Sequence, residues 1–200
     1  MQSTLSKNLL FFILLLAFVV FVYGTYRAIG IVNKTQMATS EGTYTSYVSI
    51  SKEIQKKAKV LTQMCSTKVC KVQSLLNYVT RIPYRTQTFQ RKKPLQTMSQ
   101  NFGDCDDKSN LLISLLHAQN IEAYFVLVPK HIFVIVPLEE RQLQQTKGVW
   151  IAGRKYYILE STAKNSAIGF PLRYKTEEID VIIEPFSNKK MELKGLIYKP

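Results

Sequence analysis

Residues 101–138 read NFGDCDDKSNLLISLLHAQNIEAYFVLVPKHIFVIVPL. Leu111, Leu112, Leu115 and Leu116 recur at helical spacing, and Asp106 and Asp107 fall in the first turn, where the positive end of the helix dipole favours carboxylates. The pattern therefore predicts a helix with Cys105 at its N-terminus and Asn120 at its end. Two β-rich apolar runs follow, 123–128 and 132–136, separated by Pro129, Lys130 and His131, and both read as buried strands.

The same signals extend in both directions. Downstream, residues 149–151 and 156–160, split by Ala152, Gly153 and Arg154, read as the next hairpin of one antiparallel sheet, and residues 179–185 hold one further strand. No element is assigned beyond that strand. Upstream, Tyr47, Ile50, Ile54, Ala58, Leu61 and Cys65 lay one apolar stripe along a helix whose lysines face away. A second stripe at Val69, Val72, Leu76 and Val79 is stopped by Pro83. Residues 84–100, polar and basic with Pro94, read as a loop.

Residues 9–26 carry no charge and are almost unbroken Leu, Phe, Ile, Val and Ala. Eighteen helical residues extend roughly 27 Å, enough to cross a bilayer core of about 30 Å. A cleaved signal peptide is the competing reading, since Lys7 precedes the run and Val22-Tyr23-Gly24 loosely matches a cleavage site. The length of the run, the lack of Ala-x-Ala and the apolar continuation Ile29-Gly30-Ile31-Val32 favour an uncleaved anchor over 1–32. Lys7 and the terminal amine against Arg27 and Lys34 leave the positive-inside count close to a tie. Residues 33–43, NKTQMATSEGT, read as a linker, and the folded domain is expected over 44–200.

The chain has 27 Lys plus Arg against 14 Asp plus Glu. Residues 44–100 hold eleven basic residues and one acidic one, so one face of the first half of the domain should attract anions: headgroups, anionic polymers or acidic peptides. No zinc-finger spacing, aromatic RNA-binding motif or helix-turn-helix signal accompanies these lysines, which argues against nucleic acid. Cys65 and Cys70 flank the turn between the two predicted helices. A disulfide there and a pair of small buried side chains fit the spacing equally well. If they pair in an oxidising compartment, Cys105 remains as a free thiol.

A cysteine at a helix N-terminus faces free backbone N–H groups that favour the thiolate, while Asp104, Asp106 and Asp107 oppose it, so activation calls for an imidazole. His131 leads a strand beside a turn. Its far nitrogen needs an acceptor to fix the tautomer, and Glu160, ending a neighbouring strand, can supply it. Cys105, His131 and Glu160 are thus the candidate catalytic residues. His117, at the far end of the cysteine helix, reads as structural, and Trp150 and the tyrosines as packing groups.

Gly103-Asp104-Cys105 opening a helix, His131 opening a strand and Glu160-Ser161-Thr162 closing another resemble, in order and local motif, the transglutaminase-like superfamily, in particular small prokaryotic members with a G-D-C-D-D motif. The resemblance covers about 69–162. It implies an α+β, papain-like core, a helical half carrying the cysteine packed on an antiparallel sheet carrying His and acid. Here that core would follow a transmembrane helix. Glu160 stands where the family has Asp, and the tryptophan that follows the cysteine in the animal enzymes is missing. The Cys105 N–H is the evident oxyanion donor, with Gln100 or Asn101 as further candidates. The implied activity is thiol-dependent acyl transfer or hydrolysis on peptide or carboxamide substrates, with a peptide or protein as partner. Membrane lipid is expected as a partner of the N-terminal helix, and with two histidines, no C-x-x-C pair and no dense acidic loop, no metal or cofactor is expected. The competing class is a non-catalytic envelope binding module. The possible Cys65–Cys70 pairing tips the expectation toward a domain on the extracytoplasmic side.

Overall fold

The computed structural model describes residues 4–39, 42–86 and 91–200. Helix α1 spans Thr4–Thr35, beyond the expected end of the anchor at residue 32, and its Asn8–Ala28 part is long and apolar enough to cross a membrane. Strands β1 (Gln36–Thr39) and β2 (Gly42–Thr45) pair as a small antiparallel hairpin within the segment read as a linker, of which residues 40–41 lie outside the described part. Tyr44 is buried edge-on against Phe125, and its hydroxyl accepts a hydrogen bond from Asn110 Nδ2 at 2.9 Å.

Helix α2 is Lys52–Leu61. The apolar stripe suggested an earlier start, at Tyr47. Ser51 ends that possibility by capping the helix, its Oγ accepting from Ile54 N, while Asn110 and Ser114 side chains capture the Tyr47 and Ser49 amides in extended backbone. Helix α3, Lys68–Arg81, is capped by Thr67, whose Oγ1 accepts from Cys70 N. Cys65 and Cys70 form a disulfide that clips the α2–α3 turn. The stretch read as a loop contains helix α4, Pro94–Gln100, because a proline at the first helical position forgoes an amide that has no partner there anyway. Residues 87–90 of that stretch lie outside the described part.

Helix α5, Cys105–His117, is buried on almost all sides, which explains its run of leucines with few polar faces. It packs against the antiparallel sheet of six strands in the order β7-β3-β4-β6-β5-β8, formed by β3 (Tyr124–Val128), β4 (His131–Pro137), β5 (Gly148–Ile151), β6 (Arg154–Leu159), β7 (Val181–Ile183) and β8 (Ile197–Lys199). The β3–β4 hairpin closes on the pair Val128–His131 and the β5–β6 hairpin on Ile151–Arg154. In the latter, Ala152 and Gly153 both have positive φ (48° and 81°), as a tight hairpin turn demands, and glycine adopts this without strain.

Successive strand residues feed two cores. Phe125, Leu127, Ile132, Val134, Val136 and Leu159 face the helices. Val126, Phe133, Ile135 and Ile158 face a second cluster completed by Phe170, Leu172, Tyr174, Leu196 and Tyr198. Burial on both faces makes the strands read as continuous apolar runs rather than alternating ones. The segment after Thr162, where the sequence offered only one strand, supplies the covering layer and adds edge strand β8. His117 has a packing role: its Nε2 lies against the Ala123 backbone at 3.3 Å from N, its ring meets Phe186 edge-on, and burial lowers its pKa.

Candidate active site

The motif Gly103 to Asp107 is built residue by residue. Asp104 caps α5, its Oδ1 accepting from Asp107 N at 3.1 Å, so Cys105 is the first helical residue. Gly103 is set by close approach, because a Cβ there would sit 2.7 Å from the Asp107 Cβ. Asp107 Oδ1 accepts the Lys92 amide at 2.8 Å and ties the preceding basic strap to the helix start. Asp106 lies 4.0 Å from Arg91 and receives the Cys105 thiol, Sγ to Oδ1 3.7 Å. Burial, then the charges of Asp106 and Asp104, push the Cys105 pKa up to about 12, so the resting group is a neutral thiol. Here the helix-terminus preference for thiolate loses to burial and like charge.

His131 and Glu160 meet at the adjoining ends of β4 and β6. The pairing of Val134 with Leu159 brings the start of one strand beside the end of the other, and His131 Nε2 and Glu160 Oε2 are 2.8 Å apart. The other carboxylate oxygen accepts from Thr162 N at 2.9 Å and from Thr162 Oγ1 at 2.5 Å. Burial works to raise the Glu160 pKa, but the bonds from His131 and Thr162 outweigh it and the group is held ionised below its ordinary value. An ionised acceptor makes Nε2 the protonated nitrogen of the neutral ring, leaving the Nδ1 lone pair for another partner.

Tyr174 stacks on His131 with ring centroids 6.3 Å apart and planes at 17°. Its phenol pKa is raised by burial and then by Glu160. A cleft of about 350 Å³ opens beside this group, lined by His131, Glu160, Thr162, Phe170 and Tyr174. The structure thus joins His131 to Glu160 by a hydrogen bond, whereas the thiol hydrogen-bonds to Asp106. Gln100 and Asn101 are exposed at the end of α4, where Asn101 is the left-handed C-cap. Among the described residues no group of three or more His, Cys, Asp or Glu is arranged to hold a metal ion. Tyr174 escaped the sequence reading, because it lies in a segment without periodicity. Asp106 was read there as a charge opposing the thiolate, but not as the hydrogen-bond acceptor of the thiol.

The family model of the transglutaminase-like superfamily matches residues 55–160, more than half of the chain. The chain belongs to that superfamily. Among solved structures it is similar to a "putative protease" from Parabacteroides distasonis, at 14% identity and TM-score 0.48 over 70% of this chain and 27% of the other. It is also similar to a "putative cysteine protease" from Cytophaga hutchinsonii, at 16% and 0.43 over 76% and 53%. A third is Legionella pneumophila LapG, at 13% and 0.45 over 74% and 87%. The chain spans about a quarter of the first neighbour's length and about half of the second's. No curated protein gives a match.

Proposed function

We propose that the protein is a membrane-anchored thiol enzyme that transfers or hydrolyses acyl groups of peptide or carboxamide substrates through Cys105, His131 and Glu160. The observation that carries this is the 2.8 Å bond between His131 Nε2 and an ionised Glu160, beside a helix that begins with the free cysteine. Glu160 and Thr162 hold the imidazole in the tautomer whose Nδ1 can accept a proton. With the thiol neutral at rest, the proton passes from Sγ to Nδ1 as sulfur attacks the substrate carbonyl, and no preformed ion pair is needed. The imidazolium, stabilised by Glu160, then protonates the leaving amine. Water or an acceptor amine releases the acyl group from sulfur, returning its proton through the same ring.

The reading is tested by acylating the full-length protein in detergent with p-nitrophenyl acetate near pH 7.5 and locating the acetyl group by mass spectrometry. Cys105 should be acetylated at least about 100-fold faster in the wild type than in His131→Ala, the usual scale of general-base assistance. Equal rates would sink the catalytic reading.

One observation favours a second reading, a non-catalytic binding module: the thiol points to Asp106 and is held protonated. Equal acetylation rates would support it. The anchor is supported by the apolar Asn8–Ala28 segment, whose side chains are all exposed. An extracytoplasmic domain is supported by the Cys65–Cys70 disulfide, since such bonds persist in oxidising compartments. Recovery of Cys65 and Cys70 as free thiols from native membranes, alkylated before lysis, would count against that side.

A further inference from the structure

A second cleft, of about 650 Å³, lies between the end of α3 and the loop that follows Thr162. Three cations line it, Arg81, Lys108 and Lys164, and among the described residues no carboxylate does. The Lys108 side chain is buried, with Nζ donating to Ile82 O at 2.8 Å and reaching Thr80 O at 3.5 Å. An ammonium group has three donors, so one remains for a ligand. Ser166, only 2% exposed, also lines the cleft, and its Oγ is buried without a hydrogen-bond partner. A buried hydroxyl costs stability unless something satisfies it, and a bound acceptor would do so. The wall is rigid at this point, because Gln73 on α3 donates from Nε2 to Ser166 O and accepts at Oε1 from Ile168 N.

The cleft adjoins the candidate active site. Thr162, which holds Glu160, lines both clefts. Tyr84 lines this one, and its backbone bridges that of Gly103, two residues before Cys105. Lys108 itself is one helical turn beyond Cys105.

We infer that this cleft is a substrate subsite that accepts the carboxylate side chain of an acidic peptide, with Arg81, Lys108 and Lys164 supplying the counter-charge and Ser166 a hydrogen bond. The assignment rests on the peptide-directed reading above, because a chain crossing the Cys105 thiol is what would carry a side chain past Thr162. A peptide carboxylate fits better than a free anion, since the cleft shares Thr162 with the candidate active site and is roomy enough for an extended residue.

The test uses the full-length Cys105→Ser protein in nanodiscs of neutral phosphatidylcholine, with fluorescein-labelled octapeptides carrying Glu at alternate positions and their Gln counterparts. Fluorescence anisotropy should show the Glu peptide binding about fivefold to tenfold more tightly, the effect expected of partly exposed charge pairs. Arg81→Glu with Lys164→Glu should abolish the preference, and the milder Arg81→Ala with Lys164→Ala should reduce it. Lys52→Glu with Lys56→Glu changes net charge equally on the exposed side of α2 and should preserve it. Equal binding of the two peptides would overturn the subsite. So would equal loss in both charge-reversed proteins, which would trace the preference to overall charge. If the Glu preference survives while wild-type Cys105 fails to be acetylated, the subsite stands and the catalytic reading falls.

Discussion

At the scale of single residues, the state of the thiol follows from a contest between a helix terminus and its own carboxylates. Removing one of those charges should favour the thiolate, so Asp106→Asn lowers the Cys105 pKa. Alkylation by iodoacetamide at pH 8, read at Cys105 by mass spectrometry with Cys65 and Cys70 silent in their disulfide, should be at least about threefold faster than in the wild type, since each unit of pKa changes the thiolate fraction about tenfold. Glu160 titrates with the opposite sign from the thiol. Its folded pKa lies below its unfolded value, so its contribution to stability is present above the unfolded value near 4.5 and is lost as pH falls through the folded one. Glu160→Gln should therefore flatten the acid limb of a plot of denaturation midpoint against pH below about 4.5. A glutamate in place of aspartate is accommodated because its second oxygen is held by Thr162 while the first reaches the ring.

At the scale of elements, the disulfide and the Thr67 cap act together on one short turn. The bond joins residues five apart, and the chain-entropy picture gives such a loop about 2 kcal/mol. Cys65→Ser with Cys70→Ser should lower the thermal midpoint by about 4–8 °C in a calorimetric scan. Helix α5, pinned through Asp104 and Asp107, should keep its position, because neither residue lies in that turn. The elements with strong periodicity or unbroken apolar character, α3, α5 and β3 to β6, were legible in the sequence. Helix α4 and the start of α2 were not: in each, one backbone decision, proline at the first helical position or Ser51 as a cap, overrode the side-chain pattern.

For the molecule as a whole, the large exposed apolar side chains are concentrated in α1, whereas the sheet has no bare face because the C-terminal segment covers it. Full-length protein should pellet with membranes and resist an alkaline carbonate wash. A chain starting at residue 42, which keeps Tyr44 in its packing site, should remain in the supernatant. Release of the full-length chain by carbonate would remove the anchor from the proposed function.

The sequence by itself determined the greasy first helix, the cysteine at the head of a buried helix, and the His and Glu at strand ends, because these depend on local periodicity and on motif order along the chain. Tertiary structure alone decided that His131 and Glu160 share a hydrogen bond, that burial holds Cys105 as a neutral thiol donating a hydrogen bond to Asp106, and that Arg81, Lys108 and Lys164 line one cleft. Those outcomes depend on strand register, on burial and on distances between residues far apart in the chain, and no local pattern encodes any of the three.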